Sequence, residues 1–183
     1  MSSTSAPFGL RPAYHPSGIV RPNVGTITTG YATTIHQNQP IKIVADGSIE
    51  AAAAGDRFCG SFMGVEWTDS DGKRRVSNKW TASTAGTDIV AYFTRDPSIV
   101  YEIQSNAALN QDDIGEQFDF TAASGNATTG LCTQMLDVAS TAANAGMRLL
   151  GISSGADNAW GDTYVIAQVQ ISEHQFVADR AAI

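Results

Sequence analysis

Gly151-Ile152-Ser153-Ser154-Gly155 matches the G-x-S-x-G pattern of a nucleophilic serine, and Asp157 or Asp162 and then His174 follow in the serine–acid–histidine order of hydrolases. That chemistry needs a strand–turn–helix corner to present the hydroxyl, and a base within hydrogen-bond reach of it. Here the motif is followed by Ala156-Asp157-Asn158-Ala159-Trp160-Gly161, a loop composition, and then by a β-branched run. It therefore reads as a strand end and a turn, and no catalytic residue is assigned. Asp69-Ser70-Asp71-Gly72 resembles the start of a calcium loop, but Lys73, Arg74 and Arg75 come next and would repel a cation. A hairpin turn is expected there. His15, His36 and His174 are isolated, without H-x-x-x-H or Cys/His spacing, so no metal is assigned. The cysteines, Cys59 and Cys132, lack C-x-x-C spacing and are expected to be small buried hydrophobes. There is no P-loop, because Trp67 stands where its first glycine would precede Gly72-Lys73. Asn126-Ala127-Thr128 is a glycosylation sequon by pattern alone. Trp67, Trp80 and Trp160 could serve a sugar platform, but core or interface anchors are the expected role. No enzyme activity and no cofactor are expected.

The elements that must position these residues are almost all β. Runs such as Ile41–Val44, Phe58–Trp67, Ile89–Thr94, Ile99–Gln104, Met147–Ile152 and Thr163–Ile171 are short, β-branched or aromatic, and bounded by turn residues. Tyr31–Ile35 is expected to be another strand, and Arg74–Trp80 the exposed return strand of a hairpin. Single helical turns are expected within 106–117 and over Ser140–Ala145. On the order of nine or ten short strands with no long helix predict an all-β fold, an antiparallel sandwich or barrel of jelly-roll-like kind.

Before these strands the composition is different. The first 22 residues hold Pro7, Pro12, Pro16 and Pro22, four of the chain's six prolines, and the first acidic residue anywhere is Asp46. Proline fixes φ and removes a donor, which excludes a helix or a central strand. The segment nevertheless carries Phe8, Leu10, Tyr14, Ile19 and Val20, together with Arg11 and Arg21. Residues 1–30 are therefore expected to be an extended arm lying on another subunit, and 31–183 a single β domain. Pro7, Phe8, Leu10, Arg11, Tyr14 and Arg21 are the expected interface residues. Removal of residues 2–14 is expected to leave the β body folded.

The chain has 183 residues and a net charge of −7, and only 16% of its residues are charged, against about 25% in an average protein. Residues 1–45 carry +3 and the remainder −10. An acidic body repels phosphate, so nucleic acid is not an expected partner. No apolar run approaches the length of a membrane span, and no membrane is expected as a partner. The start, MSSTSAPFGLRP, lacks the basic and apolar regions of a signal peptide, which predicts synthesis in a cytoplasm.

Several blocks, taken in order, resemble a family of head decoration, or cement, proteins of tailed bacteriophages. They are Ser5–Pro12, Gly64–Asp69 with Asp71–Arg74, Ala91-Tyr92 running into Asp96-Pro97, Val100–Gln104, Leu150–Ile152, Asp157–Asp162 and Ser172–Gln175. The resemblance implies a non-enzymatic virion protein on the outer capsid surface, made in the host bacterial cytoplasm. It implies the major capsid protein and further copies of this chain as partners, with a homotrimer preferred over a dimer, and a role in holding neighbouring capsomers together. The alternative is a carbohydrate- or receptor-binding β module of a phage tail or spike.

Overall fold

Short β-branched runs cut by Gly, Asn and Asp turns cannot build long elements. The computed structural model, which describes residues 4–178, accordingly shows twelve strands. They are β1 (Arg11–Tyr14), β2 (Asn23–Gly25), β3 (Pro40–Ile43), β4 (Ile49–Ala51), β5 (Gly60–Thr68) and β6 (Arg74–Ser77). There follow β7 (Thr87–Phe93), β8 (Val100–Gln104), β9 (Gln117–Phe120), β10 (Leu136–Ala142), β11 (Met147–Ile152) and β12 (Ile166–Ile171). A 3-10 turn, Gln111–Asp113, falls within the stretch where one helical turn was expected.

The strands form two six-stranded sheets, ordered β1-β8-β12-β11-β9-β10 and β2-β7-β5-β3-β4, with β6 added to β5. All neighbours within these sheets are antiparallel, so the all-β class expected from the sequence is the one adopted. Each sheet curls upon itself. In the first, Leu136 at the start of β10 returns beside Ser105 at the end of β8, and Asn106 N–H donates to Leu136 O at 3.0 Å. In the second, Ile49 N–H on β4 donates to Thr26 O just beyond β2 at 2.9 Å. Two apolar clusters result. One is built around Phe58, Tyr101, Phe118, Phe120 and Leu149, the other around Ile41, Phe62, Trp80 and Phe93.

β5 shows how sequence sets this curvature. It pairs with β7 along one edge, and with β3 and then β6 along the other. Its register against β7 slips between Phe62 and Gly64, where φ is +153°. Such a bulge sharpens the local twist, and glycine accepts it. At Gly60 any Cβ would lie 1.9 Å from Thr94 O, so the backbones approach as closely as the glycine allows. Just past β7, Thr94 bonds the Tyr101 hydroxyl at 2.9 Å, and the Arg95–Ser98 turn carries the chain from the second sheet to the first. Gln175 ties the other end, its side chain bonding both N–H and C=O of Ile43.

Three local expectations are corrected. Tyr31–Ile35 is not a strand: only Ile35 pairs, in an isolated bridge with Trp80, while Tyr31 N–H closes a turn on Thr28 O. Ser140–Ala145 is not helical, because β10 runs to Ala142 against β9, and the Ser140 hydroxyl accepts from Asp119 N–H at 2.7 Å. Pairing with β9 there overrides the propensity of an Ala/Ser/Thr run.

The third correction concerns the N-terminal segment, which does not stand away from its own body. Leu10 is 0% exposed within the first cluster, β1 lies on β8, and β2 lies on β7. Both strands take outer positions in their sheets, as prolines in the segment require. A core seat for Leu10 removes the ground for expecting an intact body after deletion of residues 2–14.

Candidate interaction surface

Leu10 is held by backbone and side chain together. Its N–H donates to Asn38 O at 2.7 Å, and the Asn38 side-chain amide donates to Phe8 O at 3.1 Å. Gly9 makes this approach with φ of +74°, and a Cβ there would sit 2.5 Å from Asn38 O. Phe8 is half-buried beneath the Arg11 guanidinium, 4.3 Å from its ring centre, and Pro7 is half-buried beside it in the chain. Arg11 reaches across the ladder to its register partner Glu102, Nη2 to Oε2 at 2.6 Å. The Ser153 hydroxyl donates to the other Glu102 oxygen at 2.7 Å. Burial disfavours the Glu102 carboxylate, but the bonds from Ser153 and Arg11 outweigh it and lower its pKa. Of the six expected interface residues, Leu10 lies in the core of its own chain, and Arg11, half-exposed, pairs with Glu102. Tyr14, 48% exposed, and Arg21, also exposed, remain turned outward.

Between β1 and β2 the chain crosses from one sheet to the other. His15 folds the start of this crossing: its Nδ1 bonds Ser17, its carbonyl accepts from Gly18 N–H, and its Nε2 lies 3.4 Å from Asp96. The Asp96 carboxylate also accepts from Ser98 N–H, and that bond first, then His15, lowers its pKa.

Beyond the crossing lies the outer face of the second sheet. Residues opposite one another on neighbouring strands share a face. Val24 opposes Tyr92, Tyr92 opposes Gly64, and Glu66, two residues on, opposes Val76. Val24, Tyr92, Glu66 and Val76 therefore line one face. Ala91 and Val65, which alternate with them, point into the second cluster. The polar groups of the face satisfy one another. Tyr92 donates to Glu66 at 2.8 Å and Arg74 lies 3.1 Å from the same carboxylate oxygen, which lowers the Glu66 pKa, Arg74 first and Tyr92 second. The apolar groups remain uncovered. Val76 is 78% exposed and Val24 66%. A groove of about 400 Å³, walled by Val20, Pro22, Met63, Val76 and Tyr92, runs between the crossing and the sheet. Exposed apolar patches of this kind are found at contact surfaces. Val76 had a legible signal, an apolar side chain inside the polar edge strand Arg74–Ser77. Met63 and Tyr92 had none, since their sides are decided by the bulge at Gly64.

The remaining motif residues are scattered. Ser153 bonds Glu102, whereas His174 lies past the far end of β12; β12 alone, begun beside Ser153, separates them by roughly 17 Å of extended chain. Asp162 accepts from Ala159 N–H and serves a turn. Asp69 accepts from Asp71 N–H, Lys73 N–H and Arg75 Nε, as a hairpin turn requires. No cluster of three or more His, Cys, Asp or Glu suited to a metal occurs among the described residues. Asn126 accepts from Thr128 and Thr129 N–H in a loop turn. Trp80 is enclosed with Trp67 edge-on to it at 5.8 Å, and Trp160 packs against the first cluster, so the tryptophans share no exposed platform. Cys59 and Cys132 are free and buried.

No protein-family model, curated protein or solved structure matches the chain.

Proposed function

We propose that this chain is a non-enzymatic virion structural protein that binds the outer surface of a phage capsid and stabilises contacts between capsomers. The observation that carries the reading is the uncovered apolar side chains Val24 and Val76 on the outer face of the second sheet, with the groove lined by Val20, Pro22 and Val76. A face of this kind on a chain with few charges suits a permanent neighbour, here the major capsid protein. The ordered resemblance to head decoration proteins supplies the kind of neighbour and the preference for a homotrimer. Binding repeated over a shell sums many moderate contacts, and ligand that prefers the assembled state stabilises it by linkage. The carbohydrate- or receptor-binding alternative draws no support from the tryptophans, which are not arranged on one open face.

The test compares particles carrying and lacking this protein under heat and osmotic shock. Greater retention of packaged DNA by decorated particles is expected. Equal retention would refute the stabilising role.

A further inference from the structure

The crossing also borders a second cavity, of about 500 Å³, on the side of the Arg95–Ser98 turn. Arg21 and Arg95 both line it, with His15, Ile19 and Asp96. Its one carboxylate, Asp96, is engaged by His15 and Ser98 N–H. Arg21 has no hydrogen bond or ion pair among the described residues, and the contact of Arg95 is with the face of Phe176, at 5.5 Å. This is unusual for the chain. Of the three basic residues before Asp46, Arg11 is paired with Glu102 and Lys42 with Asp56, which leaves Arg21. Two guanidiniums facing one concavity on a protein with 18 acidic and 11 basic residues are a charge arrangement without an internal counterpart.

We propose that this cavity is a carboxylate-binding site filled by an acidic surface side chain of a second copy of this chain. Guanidinium forks bind carboxylates bidentately, and enclosure at a contact raises the strength of the pair above that of an exposed one. The second copy is the occupant because charge complementarity lies within the sequence itself: residues 46–183 carry 18 acidic against 8 basic residues. An arginine–carboxylate pair between two copies forms twice across a two-fold axis, or once at each contact of a ring. Either arrangement is a closed oligomer. The exposed side chain of Ile19 at the same cavity supplies apolar area to the contact. The proposal deepens the homo-oligomer part of the proposed function and rests on that reading. It is tested without capsids, so its failure leaves the capsid test standing.

The experiment is sedimentation velocity on the full chain at about 0.1 M and about 1 M salt, between which the screening length falls from about 10 Å to about 3 Å. The wild-type chain is expected to sediment as a closed oligomer at low salt and to dissociate at high salt. Arg21→Glu removes no internal bond, so its melting temperature at a concentration where the chain is monomeric should be unchanged, while self-association weakens by about ten- to a hundredfold. Arg95→Glu should weaken self-association likewise, with a small loss of melting temperature from the lost contact with Phe176. A monomeric wild-type chain at low salt, or an Arg21→Glu variant that associates as the wild type does, overturns the proposal.

Discussion

Leu10→Ala separates a core residue from an intersubunit anchor. Leu10 is fully buried among the side chains of the first cluster, in a segment whose composition suggests a free arm. Truncating a buried leucine loses its transfer free energy and leaves a cavity, a cost of about 2–5 kcal/mol. The lower half of that range applies if the segment settles inward, but two restraints oppose settling. Leu10 N–H is fixed to Asn38 O, and β1 is registered on β8 through Arg11 opposite Glu102. A loss of about 3 kcal/mol is therefore expected, which for a chain of this length lowers the melting temperature by about 6–12 °C. The assay is urea or thermal unfolding at a concentration where the chain is monomeric. Tyr14→Ala is the control: 48% exposed, it should change stability by no more than about 0.5 kcal/mol. If Leu10→Ala melts with the wild type under those conditions, the core position of Leu10 is wrong and the free arm is restored.

Ser153→Ala should cost about 1 kcal/mol in chemical denaturation through the lost bond to Glu102, and should abolish no ester hydrolysis. Because the folded-state pKa of Glu102 is lowered, its contribution to stability is present above its unfolded pKa and is lost as pH falls through the folded one. Glu102→Gln should accordingly flatten the acid limb of a stability–pH curve below about pH 4.5, and an unchanged slope would refute the role of the Arg11–Glu102–Ser153 cluster. Cys59 and Cys132, both pushed up to about 12 by burial, should resist thiol-alkylating reagents in native protein at pH 8 or thereabouts and react only on unfolding, as mass spectrometry would show. Val76→Asp should leave the melting temperature within about 2 °C of wild type yet weaken capsid binding, and normal decoration by that variant would exclude the outer face of the second sheet as the contact.

By itself the sequence determined the all-β class, because β-branched runs cut by turn residues have one local solution. Met147–Ile152 needed nothing else to be recognised as a strand, and Asp69-Ser70-Asp71-Gly72 declared its own turn through side-chain chemistry confined to Asp69–Arg75. The prolines likewise confined Arg11–Tyr14 and Asn23–Gly25 to the outside of a sheet. What only tertiary structure decided was which surface each strand met. Ser140–Ala142 became extended because β9 was there to pair with it, and Tyr31–Ile35 failed because the segment beside it, 80–84, is itself a turn that pairs in a bridge only at Ile35. Leu10 looked like an anchor for another subunit since burial gain is the same whichever chain supplies the pocket. Asn38 and the first cluster, distant in sequence, hold it in its own chain. The exposed strip at Val24 and Val76 depended on the register slip at Gly64, because a single-residue shift in pairing exchanges the two faces of a strand.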